Sequence, residues 1–300
     1  MGKGIFLFIG VASLSASAIF VRLANAPASI TAFYRLFFTF ILIFPLTILK
    51  KSNREELKSL TKKDIILCII SGFSLGLHYF LWFQSLNFTS VASSTVIVTL
   101  QPLFSLIFGY FIFKEKYTNK AILGFIIAFA GSFIIGLGDF QINPKALFGD
   151  FLALIAAIFI SVNFIIGQYI RKRLSAINYT AFTYIPAFIF LGFLSFLIKV
   201  NFFEYSFETW IYILCLTLIS TMLGHFIFTW LLRWFSATVI SMTILGEAVG
   251  ACILGYFILN ESVSLKQLVG IIIILFGIGL FLKENKLCLL YTSPSPRDIP

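Results

Sequence analysis

Charge is what this chain has least of. Asp, Glu, Lys and Arg supply 11% of its 300 residues while 60% are hydrophobic, against about 25% charged and 45–50% apolar in soluble domains. Mean hydropathy is +1.02, so lipid rather than water is the expected solvent. Four cysteines, Cys68, Cys215, Cys252 and Cys288, have no paired spacing, which argues against a disulfide framework or a zinc site. There is no Walker-type Gly-Lys-Ser/Thr loop, so the protein is not expected to hydrolyse ATP by itself; no cofactor is expected. No connection exceeds about fifteen residues, which leaves no room for a receptor or enzyme domain outside the apolar runs.

What remains is apolar sequence in lengths of about 20 residues, enough to span roughly 30 Å of hydrocarbon. Ten such stretches run over 4–23, 31–49, 64–86, 91–113, 120–138, 148–169, 178–198, 209–231, 237–259 and 266–282. The net charge of +10 would point to nucleic acid in a soluble protein. Here no nucleic-acid partner is expected, because the basic residues sort by loop. With the amino terminus in the cytoplasm, sixteen Lys and Arg fall inside and five (Arg22, Arg35, Lys145, Lys199, Lys266) fall outside or near the outer ends. That bias places both termini of a multi-pass membrane protein in the cytoplasm. The first stretch also imitates a signal peptide, with Ala24-Asn25-Ala26 as a cleavage site, but Arg22 sits badly before it and the repeat described next needs this helix. After Lys286 the composition changes abruptly and three prolines follow within seven residues. Residues 287–300 therefore read as a non-native or disordered tail.

The chain also repeats itself. Gly109-Tyr110-Phe111-Ile112 recurs as Gly255-Tyr256-Phe257-Ile258, and at the same offset Glu115 matches Glu261, Lys120 matches Lys266, Gly124 matches Gly270 and Gly131 matches Gly277. Two five-helix units follow, 1–138 and 148–286, joined by a short polar connector at 139–147. An odd number of crossings per copy turns the second upside down, so the fold class is all-α integral membrane, ten transmembrane helices in two inverted five-helix repeats. Inverted repeats are the architecture of secondary transporters, with substrate held near the midplane.

At this point the residues resemble a known family. Leu245-Gly246-Glu247-Ala248-Val249, then Leu254-Gly255-Tyr256, Asn260-Glu261 and Gln267-Leu268-Val269-Gly270, resemble the carboxyl half-repeat of the drug/metabolite transporter (DMT) superfamily, EamA type. Gln101-Pro102-Leu103-Phe104 through Lys114-Glu115 and Leu123-Gly124 is similar to its first-half version. Phe33-Tyr34-Arg35 and Gly149-Asp150-Phe151-Leu152-Ala153-Leu154 resemble the openings of its second and sixth helices. The resemblance implies an inner-membrane permease for small polar metabolites, often amino-acid efflux, and names no substrate. Where the family pattern often has proline after the acid, this chain has Ala248, while Pro102 keeps it in the first copy.

Ionisable groups inside a bilayer are costly and need a partner, a cavity or a function. Glu247 is the deepest, ten residues into the ninth stretch. It can line a central cavity, binding a cation or carrying a coupling proton, or serve as polar glue between helices. Gln101 is its counterpart. His78 and His225, the two histidines, correspond across the repeat within one position; each can shuttle a proton or sit neutral on a carbonyl. With Glu247 they imitate a metal site, but no local spacing supports one. Arg35 can fork onto a substrate carboxylate or snorkel to the outer interface. Tyr79 and Trp82 beside His78, and Trp230 beside His225, offer aromatic faces or interface belts. Asn163, on the sixth stretch, is a further cavity candidate.

These residues read as a secondary transporter worked by alternating access and coupled to protons, and the resemblance implies an efflux permease for amino acids or other small metabolites. An uncoupled facilitator is the alternative within transport. An integral-membrane lipid-modifying enzyme is the distant one. The partners expected are the lipid bilayer, a small-molecule substrate and protons.

Overall fold

The computed structural model describes residues 2–137, 144–259 and 264–291. Residues 1, 138–143, 260–263 and 292–300 lie outside them, among them most of the connector and the repeat-matched Glu261. Among the described residues the chain is helical without strands. Nine helices are long and apolar enough to cross a membrane, and the fifth, Asn119–Leu137, has a shorter apolar part. The architecture is the all-α, ten-helix membrane fold expected. The tenth helix, Leu265–Tyr291, runs into the segment set apart as a tail.

Local chemistry sets where helices begin. Thr61 and Asp64 form a reciprocal capping box at the start of the third helix, Lys62–Ser85, satisfying two N–H groups that otherwise lack partners. Ser90 and Ser236, 146 positions apart, cap the fourth and ninth helices alike: each Oγ accepts from the N–H three residues on. The short polar helix Lys51–Lys58 lies on the amino-terminal side. Its Glu56 accepts from Ser175 N and Asn178 Nδ2 at the head of the seventh helix, Ala176–Leu197. A carboxylate at a helix amino terminus is favourably placed.

Inversion of the repeats is visible where equivalent helices meet. The fifth and tenth helices pack along their length in opposite directions. A Cβ built on Gly124 would stand 2.9 Å from the Gly277 carbonyl oxygen, and one on Gly131 would stand 2.8 Å from that of Gly270. Because Gly124 corresponds to Gly270 and Gly131 to Gly277, each contact is the other's mirror about a local two-fold axis. Glycine is required there: any Cβ would meet backbone, and backbone cannot rotate away.

Among the described residues four helices are discontinuous. The first comprises Gly2–Ser15 and Ser17–Ala24, the fourth Val91–Val98 and Gln101–Phe113, and the ninth Ala237–Ile244 and Gly246–Leu259. The eighth passes from Phe207–Cys215 through a π-helical stretch, Leu216–His225, into Phe226–Leu231. Pro102 sits at the start of the second half of the fourth helix, while Pro45 and Pro186 lie inside continuous helices.

Candidate functional site

The broken helices, together with the second, third and sixth, surround a small buried cavity whose wall is mostly apolar and carries several polar side chains. Its wall takes Leu14 from the first helix, Arg35 from the second, His78, Tyr79 and Trp82 from the third, and Val98, Thr99 and Gln101 from the fourth. Ile160 and Phe164 come from the sixth, His225 from the eighth, and Ile244 and Glu247 from the ninth. Both repeats contribute. The space open at its centre is about 30 Å³, room for a water molecule or two, so the cavity is closed around its polar groups in this conformation.

Arg35 lies seven residues inside the second helix, Ala28–Leu49, and is 0% exposed. It is therefore not a snorkelling interface residue. Its Nε donates to Thr221 Oγ1 at 2.7 Å and Nη1 to Ser17 Oγ at 2.9 Å, and its guanidinium covers the Tyr79 ring 4.2 Å from the centroid. The remaining nitrogen, Nη2, is buried with no hydrogen-bond partner in the protein. The π-helical stretch matters here. Thr221 bonds back to the Leu216 carbonyl five residues earlier and turns its hydroxyl oxygen to Arg35, a local distortion of the kind found at functional sites.

Glu247, 5% exposed, stands at the break of the ninth helix with Oε1 unpartnered. Among the described residues neither it nor Arg35 enters an ion pair. Its counterpart Gln101 is engaged instead. Nε2 donates to Ser241 Oγ at 2.9 Å, Ser241 shares a hydrogen bond with Ser105, and Ser161 donates to the Gln101 carbonyl.

His78 Nδ1 donates to the Ala156 carbonyl at 3.0 Å, and its ring lies nearly parallel to Trp82. His225 Nδ1 bonds the Tyr184 hydroxyl at 3.1 Å, its ring stacks on Phe164, and its Nε2 has no partner in the protein. The Trp82 indole N–H is likewise unpartnered. Buried polar groups are nearly always hydrogen-bonded, so Arg35 Nη2, Glu247 Oε1, Trp82 Nε1 and His225 Nε2 are four exceptions around a single cavity.

Seven of the nine residues singled out from the sequence thus converge: Arg35, His78, Tyr79, Trp82, Gln101, His225 and Glu247. Two do not. Asn163 points toward the third and seventh helices, where Nδ2 donates to Ser71 and its backbone carbonyl accepts from the Tyr179 hydroxyl. Trp230 packs edge-on against Phe6 and Trp234 near the amino-terminal side. Phe164, Ser17, Thr221 and Ser241 were not anticipated. Sequence spacing alone holds no signal for the first three, whereas Ser241 could have been found by asking what faces Gln101 in the opposite copy.

The amino-terminal end beneath the cavity is tied shut across the repeats. Glu115 Oε2 accepts from Tyr117 at 2.5 Å and Thr238 at 3.1 Å, and Oε1 accepts from Gln168 at 2.8 Å. Gln168 in turn accepts from the Ala237 N–H at 2.6 Å. Burial, with the Glu115 carboxylate alongside, pushes the Tyr117 phenol well above its ordinary pKa, so it stays a donor. Close by, Arg171 caps two helix ends at once, donating to the Leu174, Thr229 and Trp230 carbonyls. Burial lowers its pKa to about 10, still cationic at neutral pH.

Comparison with known proteins agrees with this architecture. The EamA-like transporter family model matches twice, over residues 2–137 and 147–283. The uncharacterized transporter YetK of Bacillus subtilis is 27% identical over 76% of this chain and 71% of its own length. YoaV of the same organism, also an uncharacterized transporter, is 25% identical over 80% and 82%. A probable purine permease of Arabidopsis thaliana is 26% identical over 36% of this chain and 28% of its own. A crystal structure of a protein 14% identical in sequence superposes with a TM-score of 0.77 over 95% of this chain and 98% of that one, a likeness of fold. With two tandem matches spanning nearly all of its ten helices, the chain belongs to the EamA-like transporter family of the drug/metabolite transporter superfamily.

Proposed function

We propose that this protein is a secondary transporter of the inner membrane, both termini cytoplasmic, that exports amino acids or similarly small zwitterionic metabolites by alternating access. One observation carries the reading. A buried guanidinium and a buried carboxyl face the same cavity without pairing to each other, each with an unused polar atom. A zwitterion offers a carboxylate for Arg35 Nη2 and an ammonium for Glu247 Oε1. Leaving buried charges unpaired is expensive, and such a ligand answers both costs together. Tyr79, Trp82 and Phe164 then supply the apolar wall for its side chain.

Two breaks related by the repeat, at Thr99-Leu100 and at Leu245, bring Gln101 and Glu247 to that wall. Discontinuous helices at a repeat interface are where transporters hold substrate. The Glu115 network supports assigning this conformation to one closed at the cytoplasmic end. Glu247 is the group that takes up and releases the coupling proton, and His225, on the same wall with Nε2 unpartnered, is the relay candidate. A planar nucleobase is the second reading: the near-parallel His78 and Trp82 rings would stack on one, and one relative is named a probable purine permease.

The test is uptake into proteoliposomes under an imposed proton gradient, competed with amino acids and with nucleobases. Glu247→Gln is expected to abolish the response to the gradient while downhill counterflow continues. Unchanged gradient-driven uptake with an unchanged pH profile would remove Glu247 from coupling. Wild-type counterflow that ignores a collapsed gradient would make the protein a facilitator.

A further inference from the structure

The contact that Gln101 makes has a repeat-related twin that is not made. Gln101 reaches across the repeats to Ser241. Applying the offset of 146 to both partners gives Glu247 and Thr95. Both side chains are buried, Thr95 to 1% and Glu247 to 5% exposure, and Thr95 Oγ1 and Glu247 Oε1 are both without a partner. Two inverted copies of one unit need not adopt the same conformation at the same moment. Exchanging their conformations turns the molecule from one face to the other and exchanges every repeat-related contact with it. We infer that in the opposite-facing state Thr95 donates to the Glu247 carboxylate while Gln101 releases Ser241.

This rests on the alternating-access reading and adds to it. Thr95 becomes a positioning residue that holds the Glu247 carboxylate in one state only, so the carboxyl is free for ligand or proton in the state described here and engaged in the other. Thr95→Val keeps the shape and removes the donor. Ser241→Ala removes the contact now present. Spin labels at exposed positions 116 and 172, on opposite repeats at the amino-terminal end, in a cysteine-free background, read the opening of that end as a distance distribution. Loss of one hydrogen bond shifts a two-state ratio by about fivefold. Ser241→Ala, which also loses the bond to Ser105, is expected to raise the long-distance population by at least that factor and Thr95→Val to lower it. Shifts in the same direction, or none in either, overturn the inference. If the wild type itself shows one distance under all conditions, the alternating-access reading fails instead.

A different observation carries a second site. Between the first, ninth and tenth helices lies an apolar groove of about 1210 Å³, walled by Val11, Val249, Leu254, Leu275, Ile278 and Leu282. Lys3 and Lys283 close its amino-terminal end, and Lys3 also sits 4.1 Å over the Trp234 ring. From Lys3 to Ser15 the groove follows the first helix for about 18 Å, the depth of one leaflet rather than two. Gly4 and Gly279 open onto it with nothing within 4 Å of an added Cβ. We propose that the groove seats one acyl chain of an anionic phospholipid from the leaflet on the amino-terminal side, its phosphate between the two lysines.

Spin-labelled phosphatidylglycerol and phosphatidylcholine in nanodiscs test this. The immobilised fraction should favour phosphatidylglycerol, the preference should fall roughly fivefold for each of Lys3→Gln and Lys283→Gln, and Gly4→Leu with Gly279→Leu should remove the immobilised component at an unchanged thermal midpoint. Equal immobilisation of the two lipids overturns the proposal, as does a component that survives the filled groove. Cross-linking of two chains through position 253 would assign the groove to a second copy instead, and overturns it equally.

Discussion

A single side chain in this protein is understood by asking whether its polar atoms are used. Arg35 spends two of its nitrogens on Ser17 and Thr221 and keeps one free. Asn163 spends its amide on Ser71, with Tyr179 bonding both Ser71 Oγ and the Asn163 carbonyl. The first pattern leaves something for a ligand and the second is helix glue. Asn163→Ala should therefore cost about 1–2 kcal/mol of stability and leave substrate affinity alone. Thermal unfolding in detergent beside a ligand titration checks it; a large loss of affinity at unchanged stability would return Asn163 to the site. From the sequence both residues were candidates. Helices that are apolar all round mark no inner face, so the depth of a polar residue was legible but its direction was not. Trp230, given as an aromatic face or an interface belt, packs on Phe6 and Trp234 and so follows the second alternative.

At the scale of elements, span count and order were legible because twenty-residue apolar runs are a strong signal. The interruptions were not. Nothing in Leu100 or Leu245 announces a break, and the π-helical stretch at Leu216–His225 replaces one set of backbone hydrogen bonds by another without special residues. Pro102 marks the break in the fourth helix, but the ninth breaks at the same place with Ala248 in its stead. The pairing of helices, by contrast, hangs on glycine. On Gly131 an added methyl would meet the Ile274 N and the Gly270 carbonyl at 2.7 and 2.8 Å, and overpacking of this kind costs about 1–3 kcal/mol. Gly279, on the same tenth helix, faces open space. Gly131→Ala should lower the thermal midpoint by several degrees while Gly279→Ala leaves it within error. Equal effects of the two would mean that helix propensity, not the seam between the fifth and tenth helices, decides.

For the whole molecule, the duplication was plain in a repeated tetrapeptide, and its inversion followed from counting five crossings per copy. What counting could not supply is how the copies touch. They meet through the same glycines on both sides, Gly124 on Gly277 and Gly131 on Gly270, so the contact is self-complementary: one five-helix unit inserted in both orientations would make it with itself. Such a homodimer would carry identical residues at the positions of Gln101 and Glu247, hence two carboxyls in the cavity or none. Joining the copies in one chain removes that constraint. A fused pair can hold a single acid, so under the proton-coupling proposal one carboxyl carries the proton with no identical twin beside it to repel its charge or share its proton.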